Sequence, residues 1–169
     1  GCPSMYMKGK RLHIQNPKLD VNSKVCFNSN VAASVPTRKF IKLKMKEFEN
    51  HYFIGQVVNE LRSIYLGAPY EYKIEYNFRN VTDKIYQDGR LRFFCNVPKW
   101  MEFLNDSDLT FGSRLHGNIA AVLAGTPALL VTKDSRTREL AEYHHLNAIH
   151  ESKLNEKLTL QELVEQQDF

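Results

Sequence analysis

The feature that most restricts the fold of this chain is a regular alternation between short apolar segments and amphipathic helical segments. Most of the short segments are apolar without interruption, which is typical of strands buried on both faces of a sheet. Strands and helices that alternate in this way form a parallel sheet with helices on both sides. The predicted strands are Val25–Asn28, His51–Gly55, Leu91–Cys95, 108–112, Pro127–Thr132 and Ala148–His150.

The sequence therefore predicts an α/β fold, a Rossmann-like doubly wound parallel sheet with helices on both faces. A length of 169 residues fits one domain with a sizeable core. Residues 1–23 contain two prolines, two glycines and no sustained periodicity, so we interpret them as a linker or approach segment. Residues 24–169 then form the domain. The abrupt start of the chain leads us to expect that it was cut from something longer.

Charge and composition narrow the range of partners. Apolar residues make up 43% of the chain and charged residues 25%, and the net charge is +4. The 23 basic residues are scattered among 19 acidic ones, with a local cluster at Lys39–Lys46. This pattern fits an anionic ligand, a peripheral contact with an anionic membrane, or simply a solvated helix face. No stacking motif or groove-reading helix indicates a nucleic-acid partner.

The cysteines and the apolar runs indicate the compartment. Cys2, Cys26 and Cys95 are an odd number at wide spacing, so reduced thiols in a cytoplasmic protein are expected rather than disulfides or a metal site. The longest apolar run, Ile119–Val131, is too short to span a bilayer and is interrupted at Gly125. A separate feature is an alternating segment at 70–78, predicted to be a strand or an extended arm and a candidate interface: Tyr70, Tyr72, Ile74, Tyr76 and Phe78.

The stretch Gly112–Asn118 is the leading candidate for a functional site. An apolar strand precedes it and an alanine-rich helix follows it, so Arg114 and His116 lie at a strand-to-helix turn. The first backbone N–H groups of a helix have no partner within the helix, and they lie at the positive end of its dipole. An anion bound there would meet these donors together with a guanidinium and an imidazole.

Each of these residues also has a structural interpretation. Ser113 is the natural N-cap of the helix, and Gly112 and Gly117 suit a tight joint as well as close approach to a ligand. Arg114 is either a surface arginine or a ligand contact. Because its charge opposes the helix dipole, an anion is expected to compensate it, and we favour a ligand. His116 is either a satisfied structural histidine or a functional group.

A second loop, Lys133–Arg138, repeats the arrangement of helix caps and cations at the end of a strand. Asp134 and Ser135 are predicted to cap a helix, Arg136 and Arg138 are candidate phosphate ligands, and Glu139 is available to pair with one of them. Because ligands of doubly wound sheets bind at the carboxyl ends of the strands, both loops are expected to open onto one crevice. No metal-ligand spacing, Walker loop or dinucleotide fingerprint is present in the sequence.

Several of these motifs together resemble the polysaccharide pyruvyl transferase family. The resemblance is specific mainly over residues 108–146, where the arginine–leucine–histidine element is the distinctive part. Asn147 departs from the pattern, since relatives often have a proline there. The segments that carry the resemblance are Ser113–Gly117 with its alanine-rich helix, Gly125–Pro127, Asp134–Leu140, Gly1–Ser4 and His51–Gln56.

The resemblance implies a two-domain architecture like that of glycosyltransferase-B enzymes, of which this chain is the C-terminal, donor-side half. It implies transfer of pyruvate from phosphoenolpyruvate to a sugar as a ketal, in capsule, exopolysaccharide or cell-wall synthesis. No cofactor and no metal are implied. The catalytic residues carried over are Arg114 and His116, and the expected donor-binding residues are Ser113, Arg114, Leu115, Gly117, Asn118, Ser135, Arg136 and Arg138.

The implied partners are phosphoenolpyruvate, a saccharide acceptor, free or lipid-linked, and the missing N-terminal domain. Without that domain we expect weak donor binding and no turnover. Two alternatives stay open. One is the donor domain of a nucleotide-sugar glycosyltransferase, although the sequence shows neither a base-reading loop nor a ribose-binding carboxylate. The other is a non-catalytic module that binds anionic glycans. The acceptor sugar, the ketal stereochemistry and the oligomeric state do not follow from the sequence.

Overall fold

The structure, a computed structural model, describes residues 2–9, 12–14, 16–69 and 80–169. Within these ranges six strands form one sheet, and every neighbouring pair is parallel. The strand order is β3-β2-β1-β4-β5-β6, which is the Rossmann order. The predicted doubly wound fold is confirmed. The strands are β1 Val25–Asn28, β2 His51–Gly55, β3 Leu91–Phe93, β4 Leu109–Gly112, β5 Ala128–Thr132 and β6 Ala148–His150.

Seven α-helices connect or follow the strands in the described part of the chain. They are α1 Val35–Met45, α2 Val58–Leu66, α3 Lys84–Gln87, α4 Val97–Asn105, α5 Leu115–Ala124, α6 Ser135–Tyr143 and α7 Leu160–Val164. Short 3-10 turns span Pro3–Tyr6 and Glu151–Lys153. Among these described helices none has the length and apolar character needed to cross a membrane.

Local sequence chemistry sets most helix ends. The side chains of Asn96 and Asp134 accept hydrogen bonds from Lys99 N and Thr137 N, so both act as N-caps, as predicted for Asp134. Thr159 and Glu162 form a capping box at the start of α7. Helix α2 ends at Gly67, which is in the left-handed conformation.

Two apolar layers cover the sheet. On one face α1 and α7 pack against Phe27, Phe53 and Phe111, and on the other face α4 and α5 pack against Cys26 and Ile54. Every residue of β1, β4 and β5 is buried. This burial explains why these strands lack polar alternation, since a parallel sheet covered by helices exposes neither face. Buried Cys26 has its pKa raised to about 11, because burial disfavours the thiolate.

Strand β3 ends at Phe93 rather than Cys95, and as an edge strand it pairs, among the described strands, with β2 alone. The alternating segment 70–78 lies outside the described residues. Met5, Leu12 and Ile14 of the approach segment pack on the second apolar layer. The boundary between linker and domain at residue 23 stays a prediction.

Candidate functional site

The carboxyl ends of β1 and β4 meet at the point where the strand order reverses. Asn28 and Gly112 are register partners there, and Arg114 N donates a hydrogen bond of 2.8 Å to Asn28 Oδ1. A Cβ atom on Gly112 would overlap the carbonyl oxygen of Asn28. Glycine is therefore required at 112 by close approach between two backbones. This reversal point is where ligands bind in doubly wound sheets.

Helix α5 begins later than the sequence indicated, and the prediction that Ser113 is its N-cap is wrong. The N-cap position is Arg114, which makes no side-chain capping hydrogen bond. The Ser113 hydroxyl instead accepts a 2.8 Å hydrogen bond from Asn30 N, which ties it to the loop after β1. Buried Asn118 donates to the carbonyls of Gly112 and Arg114 at 3.2 and 2.9 Å. Asn118 thus stabilises the turn from inside.

Arg114 is buried, and its guanidinium forms an internal ion pair. Nη2 donates to Glu60 Oε1 at 2.6 Å, and Nε donates to the Ser29 carbonyl at 2.6 Å. The side chain of Arg114 is 10% exposed and that of Glu60 is 0% exposed. The anion expected to compensate Arg114 is therefore present within the fold, as a carboxylate of α2. A role for Arg114 in donor binding stays a prediction.

Glu60 also organises the start of α2. Its second oxygen, Oε2, accepts hydrogen bonds from Gln56 N at 2.5 Å and Val57 N at 3.0 Å. Burial raises the pKa of the Glu60 carboxyl, and the charge of Arg114 together with these backbone donors acts against that rise. One carboxylate therefore connects the end of β2 with the turn after β4.

Gly117 lies close to two side chains rather than to another backbone. A Cβ atom there would lie 2.5 Å from Gln56 Nε2 and 3.2 Å from Asn28 Nδ2. Three buried polar atoms near this turn find no hydrogen-bond partner among the residues that the structure describes. They are Ser29 Oγ, Gln56 Nε2 and Asn118 Oδ1.

The two loops predicted to share a crevice do so. A cavity of about 60 Å³ lies at the carboxyl ends of the central strands. Its polar lining comes from the loop after β1, both predicted loops, α1 and the turn after β6, and includes Asn30, Thr37, Ser113, Lys133, Asp134 and Glu151. The expected convergence of the two loops on one crevice is thus confirmed.

Carboxylates and a lysine determine the charge of this crevice. Glu151 Oε2 accepts from Ser34 Oγ at 2.6 Å and Thr37 Oγ1 at 2.8 Å. Partial burial acts to raise the pKa of Glu151, but these hydrogen bonds and the charge of Lys133 hold it below its ordinary value. Lys133 Nζ donates to the Ala32 carbonyl at 3.3 Å.

The predicted site residues fall into three groups by exposure. Gly117, Asn118 and Arg114 are buried and belong to the framework of the turn, while Ser113 and Leu115 are partly buried. The remaining ones are exposed and able to meet a ligand: His116, Ser135, Arg136 and Arg138.

Glu139 was available to pair with Arg136 or Arg138, but Arg138 lies closest to a different carboxylate, that of Glu142. Arg138 Nε lies 3.9 Å from Glu142 Oε1, one turn further along α6, and both side chains are exposed. Glu139 makes no ion pair within the described ranges. An exposed pair at this distance contributes little to stability, so Arg138 keeps its freedom to contact a ligand.

Sequence reasoning missed the acidic members of the site, Glu60 and Glu151, and did not select Asn28. Asn28 could have been selected from the sequence, because it ends a buried strand and ligands of a parallel sheet bind at the carboxyl ends of its strands. No group of three or more His, Cys, Asp or Glu side chains suited to a metal ion occurs among residues 2–9, 12–14, 16–69 and 80–169.

Fold and site together define a class: a Rossmann-like domain with cation-bearing loops at the carboxyl ends of two adjacent strands, β4 and β5. A model of the polysaccharide pyruvyl transferase family matches residues 18–135, more than half of the chain. The chain therefore belongs to the polysaccharide pyruvyl transferase family. The match includes Arg114 and His116 and ends at Ser135, just before Arg136.

Comparisons with curated proteins and with solved structures give no further information on function. No curated protein matches the chain. A solved structure described as the glycotransferase of kitacinnamycin is similar over 94% of this chain and 37% of its own, with 11% identity and a TM-score of 0.49. The chain thus spans well under half the length of that protein.

Proposed function

We propose that this chain is the C-terminal, donor-binding domain of a pyruvyl transferase that transfers pyruvate from phosphoenolpyruvate to a saccharide. The observation that carries the proposal is the convergence of the Ser113 and Lys133–Arg138 loops on one crevice, in a chain of this family. Phosphoenolpyruvate bears a phosphate and a carboxylate. The starts of α5 and α6 supply backbone N–H donors for such anions, and Arg136 and Arg138 supply exposed guanidinium groups.

The reaction needs one proton donor and two sugar hydroxyls. A proton is added to the methylene carbon of the enol, and positive charge develops at the neighbouring carbon. One hydroxyl attacks that carbon, the bond from carbon to the phosphate oxygen breaks, and the second hydroxyl closes the ketal. Of the two hydroxyl protons released, one leaves with the phosphate and the other restores the proton donor. We assign the first proton to His116, which is exposed at the start of α5.

Substitution makes this assignment testable. Glutamine keeps a polar side chain at position 116 but cannot act as a general acid. In the complete enzyme, His116→Gln should lower kcat for pyruvyl transfer by roughly 10²-fold or more and leave the affinity for phosphoenolpyruvate nearly unchanged. An unchanged kcat would remove His116 as the general acid.

The rest of the enzyme follows from the same proposal. A second Rossmann-like domain provides the acceptor site, and the acceptor is a free or lipid-linked saccharide of a capsule, exopolysaccharide or cell wall. The protein works in the cytoplasm, with membrane contact that is at most peripheral, and uses no cofactor. The present chain alone binds donor weakly and does not turn over, so measurable pyruvyl transfer by it would contradict this part.

Separate calorimetric titrations with phosphoenolpyruvate, a nucleotide sugar and an acidic oligosaccharide test the proposal. We expect binding of phosphoenolpyruvate, weakened roughly tenfold or more by Arg136→Ala, because a charge-assisted hydrogen bond contributes about 1.5–3 kcal/mol. Lys42→Ala is the matched control, since Lys42 is an exposed cation of the groove beside His51, at the start of β2. An equal loss of phosphoenolpyruvate affinity in both variants would indicate non-specific attraction to positive charge rather than a binding site at Arg136.

One observation favours a second candidate, the donor domain of a nucleotide-sugar glycosyltransferase. Glu151 supplies a carboxylate in the crevice, as ribose hydroxyls would require, although its Oε2 already accepts from Ser34 and Thr37. Binding of the nucleotide sugar and not of phosphoenolpyruvate would decide for this candidate. Binding of the acidic oligosaccharide alone would decide for a non-catalytic module.

A further inference from the structure

We infer that Glu60 is a positioning residue of the donor site, which it organises by holding Arg114 and the turn after β4 in place. This inference rests on the proposed function for the nature of the ligand, while the positioning itself is a property of the fold. Glu60 touches no ligand in this proposal, because its side chain is 0% exposed. It acts through Arg114.

The connection runs through both oxygens of one carboxylate. Oε1 accepts from Arg114 Nη2, and Oε2 accepts from the backbone N–H groups of Gln56 and Val57. The guanidinium is held on a second side by the Ser29 carbonyl. Three carboxyl-end segments, those after β1, β2 and β4, are therefore fixed relative to one another by a single pair of side chains.

The ion pair of Arg114 with Glu60 matters for the site because Arg114 lies in the turn that begins α5. Arg114 is the N-cap residue of α5, and its own backbone N–H is fixed by Asn28. His116 follows in the first turn of the same helix. The turn that carries His116 is thus anchored twice, at the Arg114 backbone by Asn28 and at the Arg114 side chain by Glu60 and Ser29. Loss of the side-chain anchor would leave this turn less firmly positioned, and a misplacement of about 1 Å can cost roughly 10²-fold in rate.

Stability alone is a poor explanation for the pair. Burying two charges is costly, and well-packed apolar side chains of similar volume are often as stable as a buried ion pair or more so. The raised pKa of Glu60 reflects that cost of burial. What the apolar replacement lacks is direction: it would hold neither the guanidinium nor the two backbone N–H groups in a fixed orientation.

Glu60→Gln is the informative variant, because a glutamine amide has one oxygen where Glu60 uses two. It must leave either Arg114 or the start of α2 without its acceptor. In ¹⁵N-labelled chain we expect the Arg114 Nε–H signal and the backbone amide signals of residues 112–118 to shift. We expect the dissociation constant for phosphoenolpyruvate to rise roughly tenfold or more.

Glu47→Gln is a closely matched control. Glu47 Oε1 accepts from buried Lys44 at 2.6 Å, and its Oε2 accepts from Leu160 N at the start of α7. This variant breaks the same kind of arrangement just after the end of α1, and Glu47 does not line the crevice. We expect it to lower the melting temperature while leaving the 112–118 signals and phosphoenolpyruvate affinity unchanged.

Glu60→Asp keeps the charge and both oxygens but shortens the side chain by one methylene. We expect it to fold and to give intermediate shifts and affinity, including where Glu60→Gln fails to fold. The inference is overturned if Glu60→Gln, or Glu60→Asp in its place, moves these signals and the affinity no more than Glu47→Gln does. If the unmodified chain fails to bind phosphoenolpyruvate, the proposed function fails, while the Arg114 and 112–118 signals still decide the role of Glu60.

Discussion

At the scale of single residues, Gly112 is the position where the site tolerates least change. An added Cβ would meet the Asn28 carbonyl oxygen at the centre of the sheet. The oxygen belongs to the backbone of β1 and the added Cβ would be attached to the backbone of β4. Neither can move away without breaking the pairing of these two strands. We expect Gly112→Ala to lower the free energy of unfolding by about 3 kcal/mol or more in urea denaturation.

Gly89→Ala provides the comparison for that substitution. Gly89 has a φ of 64°, and a Cβ there would meet no atom within 4 Å. We expect a loss of only about 1 kcal/mol, which is the cost of a side chain in the left-handed region without a clash. Equal losses at the two positions would show that contact with Asn28 is not what requires glycine at 112.

The residue scale also shows where prediction from sequence reaches its limit. The helix dipole correctly predicted that an anion lies beside Arg114. We favoured a bound ligand as that anion, whereas the structure shows that it is the carboxylate of Glu60. Glu60 precedes Arg114 by 54 residues, and nothing in the helical pattern of α2 marks it as buried. Partners of buried charges come from tertiary packing, which periodicity and capping rules do not encode.

At the scale of elements, helix α6 has a titratable N-cap residue, Asp134. Hydrogen bonds from the Thr137 backbone and side chain lower the pKa of Asp134. A group whose pKa is lowered by folding contributes stability above its unfolded pKa and loses it as pH falls through the folded value. We expect Asp134→Ala to cost about 1 kcal/mol at pH 7, and the difference from the unmodified chain to shrink below about pH 4.

Asn96→Ala at the start of α4 is the control for this prediction. Asn96 caps its helix through the same kind of bond, to Lys99 N at 3.0 Å, but it carries no titratable group. Its contribution to the urea midpoint should therefore be the same at pH 7 and at pH 3.5. A pH-independent loss at Asp134 as well would show that its charge adds nothing to the cap.

Elements were predictable to the extent that local chemistry defines them. The caps at Asn96, Asp134 and Thr159 and the glycine end of α2 were all readable, because each uses neighbours within three or four residues. The start of α5 was misjudged because the hydroxyl of Ser113 bonds to Asn30, 83 residues away. Competition between a local cap and a distant partner is settled only by the fold.

At the scale of the whole molecule, the parallel sheet gives its two edges opposite electrostatic character. The starts of α5 and α6 lie at the carboxyl edge, so the positive ends of both helix dipoles lie there. At the amino edge, Lys42 and Lys44 lie in the last turn of α1, with Lys46 as its C-cap. Cations at that end of a helix offset its negative dipole, so they compensate the protein's own field rather than add an anion site.

Chemical-shift mapping with phosphoenolpyruvate tests which edge binds the donor. The groove at the amino edge is the larger, at about 430 Å³ against about 60 Å³ for the crevice, and it contains Lys42, Lys46 and His51. If cavity volume and the number of cations determined where the donor binds, it would bind in the groove at the amino edge. We expect instead that amide shifts concentrate at residues 28–30, 112–118 and 133–138, because only the carboxyl edge combines helix starts with exposed arginines. Shifts centred on 42–51 would place the donor at the wrong edge for the proposed chemistry.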